Sequence, residues 1–294
     1  MRHPYPYQLR YFVVARFTCP DIGRIGLICH MPTTNKKSDA IKEALKITVS
    51  AVVEGGKFLA WQVKGLYDKV DPDVARHLLQ LPLLSYSLLS SKTQKIEPLE
   101  PDGHLPLVFV YGLGGNRGNF LLMSWYMWLM DRKRSYRVQF DSNHSMEQMA
   151  EALAKFVREL KKVTGEKKVE IVAHSMGGLI ARLAITEHRL GNSVNTLVTL
   201  GTPHKGTYSA RYAGTKLTKS LRPDSELIKK INRRKLPRGI RVVTFWSRND
   251  LIIIPPESAL LEGAEQVDVT PFTHLSYLID PKSWSSVHRA LEKS

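Results

Sequence analysis

The run Val169–Ile185, VEIVAHSMGGLIARLAI, carries one serine, Ser175, between a buried-type apolar stretch and an apolar helical pattern. A serine on so abrupt a strand-to-helix turn needs small neighbours, because the strained turn brings backbone close; Ala173 and Gly177 supply them two residues before and two after. A helix beginning at Met176 aims its N-terminal amides and positive dipole end at the turn, favouring negative charge beside Ser175. The chemistry this points to is nucleophilic attack. Serine is a poor nucleophile at its free pKa, so a base must take its proton and a carboxylate must orient the base. His174 adjoins Ser175 but points elsewhere on such a turn and reads as structural rather than as the base. A second backbone donor comes from LVFVYGLGGNRGNF, residues 107–120, whose glycines follow a strand-type run. A phosphate-cradling loop is the rival reading, but no GK[ST] follows and the GxGxxG order is absent.

The turn Ala173-His174-Ser175-Met176-Gly177 resembles the nucleophile elbow of α/β-hydrolases, with alanine in place of the usual first glycine, as in some lipases of that family. The glycine loop resembles the HG-x-G segment of lipases, with Tyr111 where histidine is commoner. That resemblance makes the amides of Leu113 and Met176 the oxyanion hole, with Gly112, Gly114 and Gly115 letting the loop bend close to substrate. It counts Gly112, Gly114, His174 and Gly177 among the residues around the substrate. Val194–Gly206, VNTLVTLGTPHKG, looks like the segment after the nucleophile helix in bacterial lipases and related serine esterases, which makes His204 a pocket-wall or loop-packing residue.

In that family an acid and then a histidine follow the serine. Asp250 stands just beyond the strand-type run IRVVTFW, 75 residues after Ser175, and His274 lies 24 residues further on, after another strand and a turn. The resemblance thus implies a Ser175–Asp250–His274 triad, with Asp268 and Glu257 as solvated carboxylates and His288 structural. It spans about residues 105–291 and implies a serine carboxylic-ester hydrolase, an esterase or lipase extending to triacylglycerol lipase, that works through an acyl-enzyme without cofactor or metal. An acyltransferase or thioesterase using the same triad, and a non-catalytic lipid-binding protein on a hydrolase fold, are the alternatives.

The elements that must position these residues follow from the same pattern. Strands are expected at Leu107–Tyr111, Tyr136–Phe140, Val169–Ala173, Val194–Leu200, Arg241–Trp246 and Gln266–Val269, alternating with helices as in βαβ units. Within MEQMAEALAKFVRELKKV, Met149, Leu153, Phe156, Val157 and Leu160 recur at helical spacing, and Ser145 with Gln148 forms a capping box. The fold class is therefore α/β, a mostly parallel sheet flanked by helices, preceded by a partly helical N-terminal extension. We place the extension at 1–100 and the catalytic domain at 101–294, after a polar, proline-bearing linker at 92–105. A short lid or rim falls at about 207–239, where Leu221, Leu227 and Ile228 pack on the core or line an acyl entrance. In the extension, 40–53 and 57–67 look helical, and 79–89 is apolar and broken by proline, a satellite packing segment or a membrane or partner contact.

Composition bounds the partners. Lys and Arg outnumber Asp and Glu by 43 to 27, a formal charge of +16 that draws the chain toward anions. The basic residues form surface-type clusters at 132–134, at 161–168 and at 229–235, for which an anionic membrane surface is the preferred partner besides an ester or lipid substrate. Nucleic acid is not expected, and the oligomeric state is left open. Two cysteines, Cys19 and Cys29, make neither a zinc pattern nor a disulfide framework. The first residues lack the apolar core and cleavage site of a signal peptide, and no stretch reaches about 18 uncharged apolar residues, so a cytoplasmic or peripheral location is expected.

Overall fold

The computed structural model describes residues 96–141 and 143–293, together with the backbone of two strands near the N-terminus. By packing the chain divides into two units, 1–75 and 76–294. In the first, β1 (Val14–Cys19) and β2 (Gly23–Ile28) pair antiparallel, with Val14 opposite Ile28. The expected helices at 40–53 and 57–67, the apolar stretch 79–89 and the cysteine side chains lie outside the described residues.

In the second unit six strands form one all-parallel sheet: β3 (Leu107–Val110), β4 (Ser135–Arg137), β5 (Val169–His174), β6 (Val194–Leu200), β7 (Arg241–Trp246) and β8 (Glu265–Asp268), in the order β4-β3-β5-β6-β7-β8. Every residue of β3 and β5 is buried, as a parallel sheet covered on both faces requires of its central strands. Six strands stand where they were expected, with shifts at the ends. The expected strand Tyr136–Phe140 is shortened because the hydroxyl of Tyr111 takes over the ladder's role: Val138 N still donates to Phe109 O, but Phe140 N donates to Tyr111 Oη at 2.8 Å.

Helices α1 (Leu121–Leu129), α2 (Met146–Thr164) and α3 (Met176–Glu187) connect the first four strands; α4 (Lys216–Lys219) and α5 (Glu226–Arg233) lie between β6 and β7; α6 (Ser276–Ile279) and α7 (Pro281–Glu292) end the chain. The amphipathic α2 has the expected capping box, Ser145 Oγ accepting from Gln148 N and Gln148 Oε1 from Ser145 N, and it stops at Gly165 with φ 74°. It packs on α3, whose first ten residues, Met176 to Ile185, are all buried. The other helical group joins α1, α6 and α7. Among the described residues no helix is long and apolar enough to cross a membrane.

The basic cluster at 132–134 corrects the sequence reading. Arg132 and Arg134 are 4% and 3% exposed, so they are core cations rather than a solvated face. Arg132 Nη1 meets Glu170 Oε2 on β5 at 2.5 Å, and its Nε meets Glu292 on α7 at 3.1 Å. Arg134 joins Asp102 and Glu166 and donates to the carbonyl of His104. Burial opposes ionisation of Asp102, but the amides of Arg134, His104 and Lys133 and the Arg134 guanidinium more than offset it and hold the carboxyl below its ordinary range. Sequence alone hides this, because a buried arginine is betrayed only by the distant carboxylate that meets it.

Removing one member of a buried pair strands the other charge, at a cost of about 3–5 kcal/mol. Arg132→Met is therefore expected to lower the urea-unfolding free energy by that order, and Arg132→Met with Glu170→Met to recover most of it; equal stability of wild type and single variant would remove the ion pair from the account of the core.

Candidate active site

In the sheet order, the chain steps from β3 outward to β4 and then back across to β5, so the strand order reverses between β3 and β5. In open α/β sheets such a reversal is where the loops after the two strands part and ligands bind. Two of the sequence's glycine-bearing turns fall there, the loop after β3 at 112–115 and the turn after β5 at Ser175.

Ser175 sits between β5 and α3 with φ 55° and ψ −129°, a conformation costly for a residue with a side chain, about 1–3 kcal/mol. Its neighbours make the turn possible. A Cβ on Gly112 would lie 2.6 Å from Ser175 Cβ and 3.2 Å from Ser175 Oγ, and a Cβ on Gly177 would run into the Val110 and Tyr111 carbonyls. The loop turns back through a Gly115 N to Gly112 O bond at 3.2 Å, closed by Gly114 at φ 68°. Leu113 lies in that turn with an exposed side chain. Met176 opens α3, so its N–H has no acceptor within the helix. Tyr111 anchors the loop: its hydroxyl accepts from Phe140 N and from Gln139 Nε2, and Gln139 Oε1 in turn accepts from Arg117 N at 3.2 Å.

Asp250 and His274, far apart in the chain, are brought together. Asp250 follows β7 and is 2% exposed; its Oδ1 accepts from the amides of Ile252 and Ile253 at 3.0 and 3.1 Å, and its Oδ2 lies 2.8 Å from His274 Nδ1. That bond puts the proton on Nδ1 and leaves Nε2 as the basic nitrogen of the neutral ring. His274 is also tied to the residue before Ser175: His174 Nε2 donates to the His274 carbonyl at 2.9 Å, and the two rings lie 4.6 Å apart. Burial first, and the neighbouring His274 second, push the His174 pKa down to about 3. His174 therefore stays neutral near neutral pH.

Two residues of this cluster were not singled out by sequence. Gly201 has φ 54°, and a Cβ there would meet Asp250 Oδ2 at 2.9 Å and the Tyr277 ring at 2.6 Å. Tyr277, fully buried on α6, stands edge-on to His274 at 6.4 Å between ring centres. The signal for Gly201 was present in Gly-Thr-Pro-His-x-Gly; nothing in the sequence marked Tyr277. His204 of that motif is fully buried, 3.1 Å from Thr199 Oγ1 and 3.4 Å from Arg182 Nη1. Asp268 ends β8 exposed and accepts from Thr270, Glu257 is exposed, and His288 packs edge-on to Tyr126 on α7. Leu221, Leu227 and Ile228 are buried.

The model of the PGAP1-like alpha/beta domain matches residues 132–280, just over half of the chain. Two triacylglycerol lipases, from Pseudarthrobacter phenanthrenivorans and Burkholderia plantarii, are each 28% identical over 116 residues, 36% of this chain. The match spans only about a third of those relatives' own length, 35% and 32%. Among solved structures, the mature form of the Bacillus licheniformis lipase BlEst2 superposes with a TM-score of 0.55 at 20% identity, over 68% of this chain and 96% of that one. Aspergillus fumigatus lipase B gives 0.57 at 17% identity, over 70% and 57%. The shared feature is the α/β-hydrolase fold.

A histidine whose folded pKa is depressed costs stability in acid: below about pH 6.5 the unfolded chain takes up a proton that the folded chain refuses until about pH 3. Stability from His174 is thus complete above pH 6.5 and falls by about 1 kcal/mol per pH unit below it. Urea unfolding at neutral pH and at pH 5 is expected to show that loss, and His174→Gln to reduce the slope; an unchanged slope in the variant would mean that His174 titrates normally in the fold.

Proposed function

Because the chain belongs to the PGAP1-like alpha/beta family and has the α/β-hydrolase fold, we propose that it is a serine carboxylic-ester hydrolase of the esterase or lipase kind, acting through an acyl-enzyme. We take residues 101–294 as its catalytic domain and 207–239 as a rim beside the site. The observation that carries the reading is the buried pair of Asp250 and His274, 2.8 Å apart, hydrogen-bonded to the residue that precedes a serine held at φ 55°.

In this mechanism Ser175 Oγ attacks the ester carbonyl carbon while His274 Nε2 takes its proton. The carbonyl π electrons move to oxygen, and the Leu113 and Met176 amides hold the resulting oxyanion. Collapse expels the alcohol, which receives the proton from His274, and leaves the acyl group on Ser175. Water, deprotonated by the same nitrogen, then attacks the acyl-enzyme, releasing the acid and restoring Ser175. Asp250 holds the Nδ1–H tautomer and stabilises the imidazolium, and the two amides that bind its Oδ1 keep the carboxylate aimed. The hydrogen-bonded contact from His174 fixes the backbone of His274, so the imidazole can pivot little. The lipases among the similar proteins support ester and lipid substrates.

A panel of p-nitrophenyl esters of rising acyl length tests the proposal. The wild type is expected to hydrolyse part of the panel, Ser175→Ala to lose turnover by several orders of magnitude, and Asp250→Asn to lose about 10⁴-fold in kcat through the wrong tautomer. Equal turnover by wild type and Ser175→Ala would remove the serine-hydrolase assignment.

A further inference from the structure

Among the described residues, five of the large apolar side chains left exposed fall on two segments, Tyr208 and Tyr212 after β6, and Leu251, Ile252 and Ile254 after β7. Leu251 is 78% exposed and Tyr212 92%. The two segments are one surface, because their backbones are knitted together. Tyr208 N donates to Ile254 O at 2.8 Å, Thr207 Oγ1 to Ile252 O at 2.9 Å, and Ile254 N to Thr207 Oγ1 at 2.9 Å. All six strands are parallel, so both segments lie at the carboxyl edge of the sheet, the edge that carries Ser175.

The segment that carries Tyr208 and Tyr212 is basic, and the carboxylates near the surface are Asp224, paired with Arg211, and the exposed Glu257. From Lys205 to Arg222 there are five basic residues and no acidic one. Lys216 and Lys219 on α4 are exposed and have no carboxylate within ion-pair distance among the described residues. Arg211 lies 5.1 Å from the centre of the Tyr208 ring, which carries its charge onto the apolar surface, and its ion pair to Asp224 is long, 3.9 Å, and open to solvent. Exposed aliphatic and aromatic side chains beside exposed cations match a layer whose face is anionic and whose interior is hydrocarbon. A nucleic-acid backbone would satisfy the cations but leave Leu251, Ile252 and Ile254 in water.

We propose that this surface docks on an anionic lipid bilayer, with Tyr212, Leu251 and Ile252 entering the headgroup layer and Arg211, Lys216 and Lys219 on the lipid charges. Docking so turns the carboxyl edge of the sheet toward the membrane. Supply of lipid esters to Ser175 from that membrane rests on the hydrolase reading; the docking itself does not.

The Ser175→Ala chain, which cannot consume lipid by the proposed route, is sedimented with phosphatidylcholine vesicles with and without phosphatidylglycerol. Binding is expected with the anionic lipid, and each cation near the surface contributes about fivefold to partitioning. Lys216→Gln with Lys219→Gln should weaken it roughly 25-fold, and Tyr212→Ser with Leu251→Ser should also abolish most of it, while both pairs, in the Ser175 background, keep wild-type thermal midpoints and turnover of a water-soluble ester. Equal binding to neutral and anionic vesicles, or wild-type binding by either double variant, overturns the proposal. So does retention on single-stranded RNA that survives Tyr212→Ser with Leu251→Ser while vesicles are ignored. A wild type that binds vesicles but turns over no ester sinks the hydrolase reading and leaves the docking surface standing.

Discussion

The close approach of the two turns that follow β3 and β5 is the constraint to which the rest of the second unit is fitted. Ser175 Cβ and the Cα of Gly112 are so near that no side chain fits at 112, and Ser175 itself adopts a backbone conformation that L-residues avoid. Neither arrangement would persist alone. They persist because β5 is paired on both sides, β3 at Val110 with Ala173 and β6 at Leu200 with His174, and because α3 behind the turn is buried over its first ten residues. The strain is thus supported by the most over-determined part of the sheet.

Holding the third element, His274, is a separate problem, since it comes from a loop rather than from a strand. Two anchors solve it. Asp250 fixes the ring through Nδ1, and His174 fixes the backbone through the carbonyl. The second anchor favours a charged His174, but burial and the neighbouring His274 outweigh it and keep the ring neutral. Burial supplies that neutrality at any pH near neutral. Gly201 completes the arrangement by leaving room for Asp250 and the Tyr277 ring on the same side of β6.

Legibility in the sequence followed locality. The strand that ends at Ser175, the capped helix α2 and the glycine loop were readable because each is decided by residues adjacent in the chain: a β-branched run, a Ser-x-x-Gln box, a glycine at a turn. That Asp250 and His274 would meet was expected only through family order, since nothing local separates them from other carboxylates and histidines. What escaped were relations between distant residues. The core ion pairs of Arg132 and Arg134 looked like a surface cluster, and the hydroxyl of Tyr111 takes the place of the last rungs of β4. Tyr277 carries no pattern of its own, because its role is to fill space against His174 and His274.

Arg182 joins α3 to α5 through a buried circuit, beside the ion pairs that Glu187 at the end of α3 makes with Lys230 and Arg234. It is 4% exposed, burial lowers its pKa to about 10, and its guanidinium donates to neutral acceptors, Asn232 Oδ1 at 3.0 Å and Ile231 O at 3.3 Å, both on α5. His204 Nδ1 stands 3.4 Å from the same guanidinium and can only be an acceptor there. The His204 proton must then sit on Nε2, directed at Thr199 Oγ1, and burial together with the Arg182 and Lys205 charges keeps the ring from taking a second one. Asn232 Nδ2 returns to the His204 carbonyl at 3.0 Å and closes the circuit. A carboxylate in place of these neutral acceptors would pair with Arg182 but would also pull a proton onto His204. The neutral circuit and the Glu187 ion pairs together keep α3, the loop after β6 and α5 in one fixed relation.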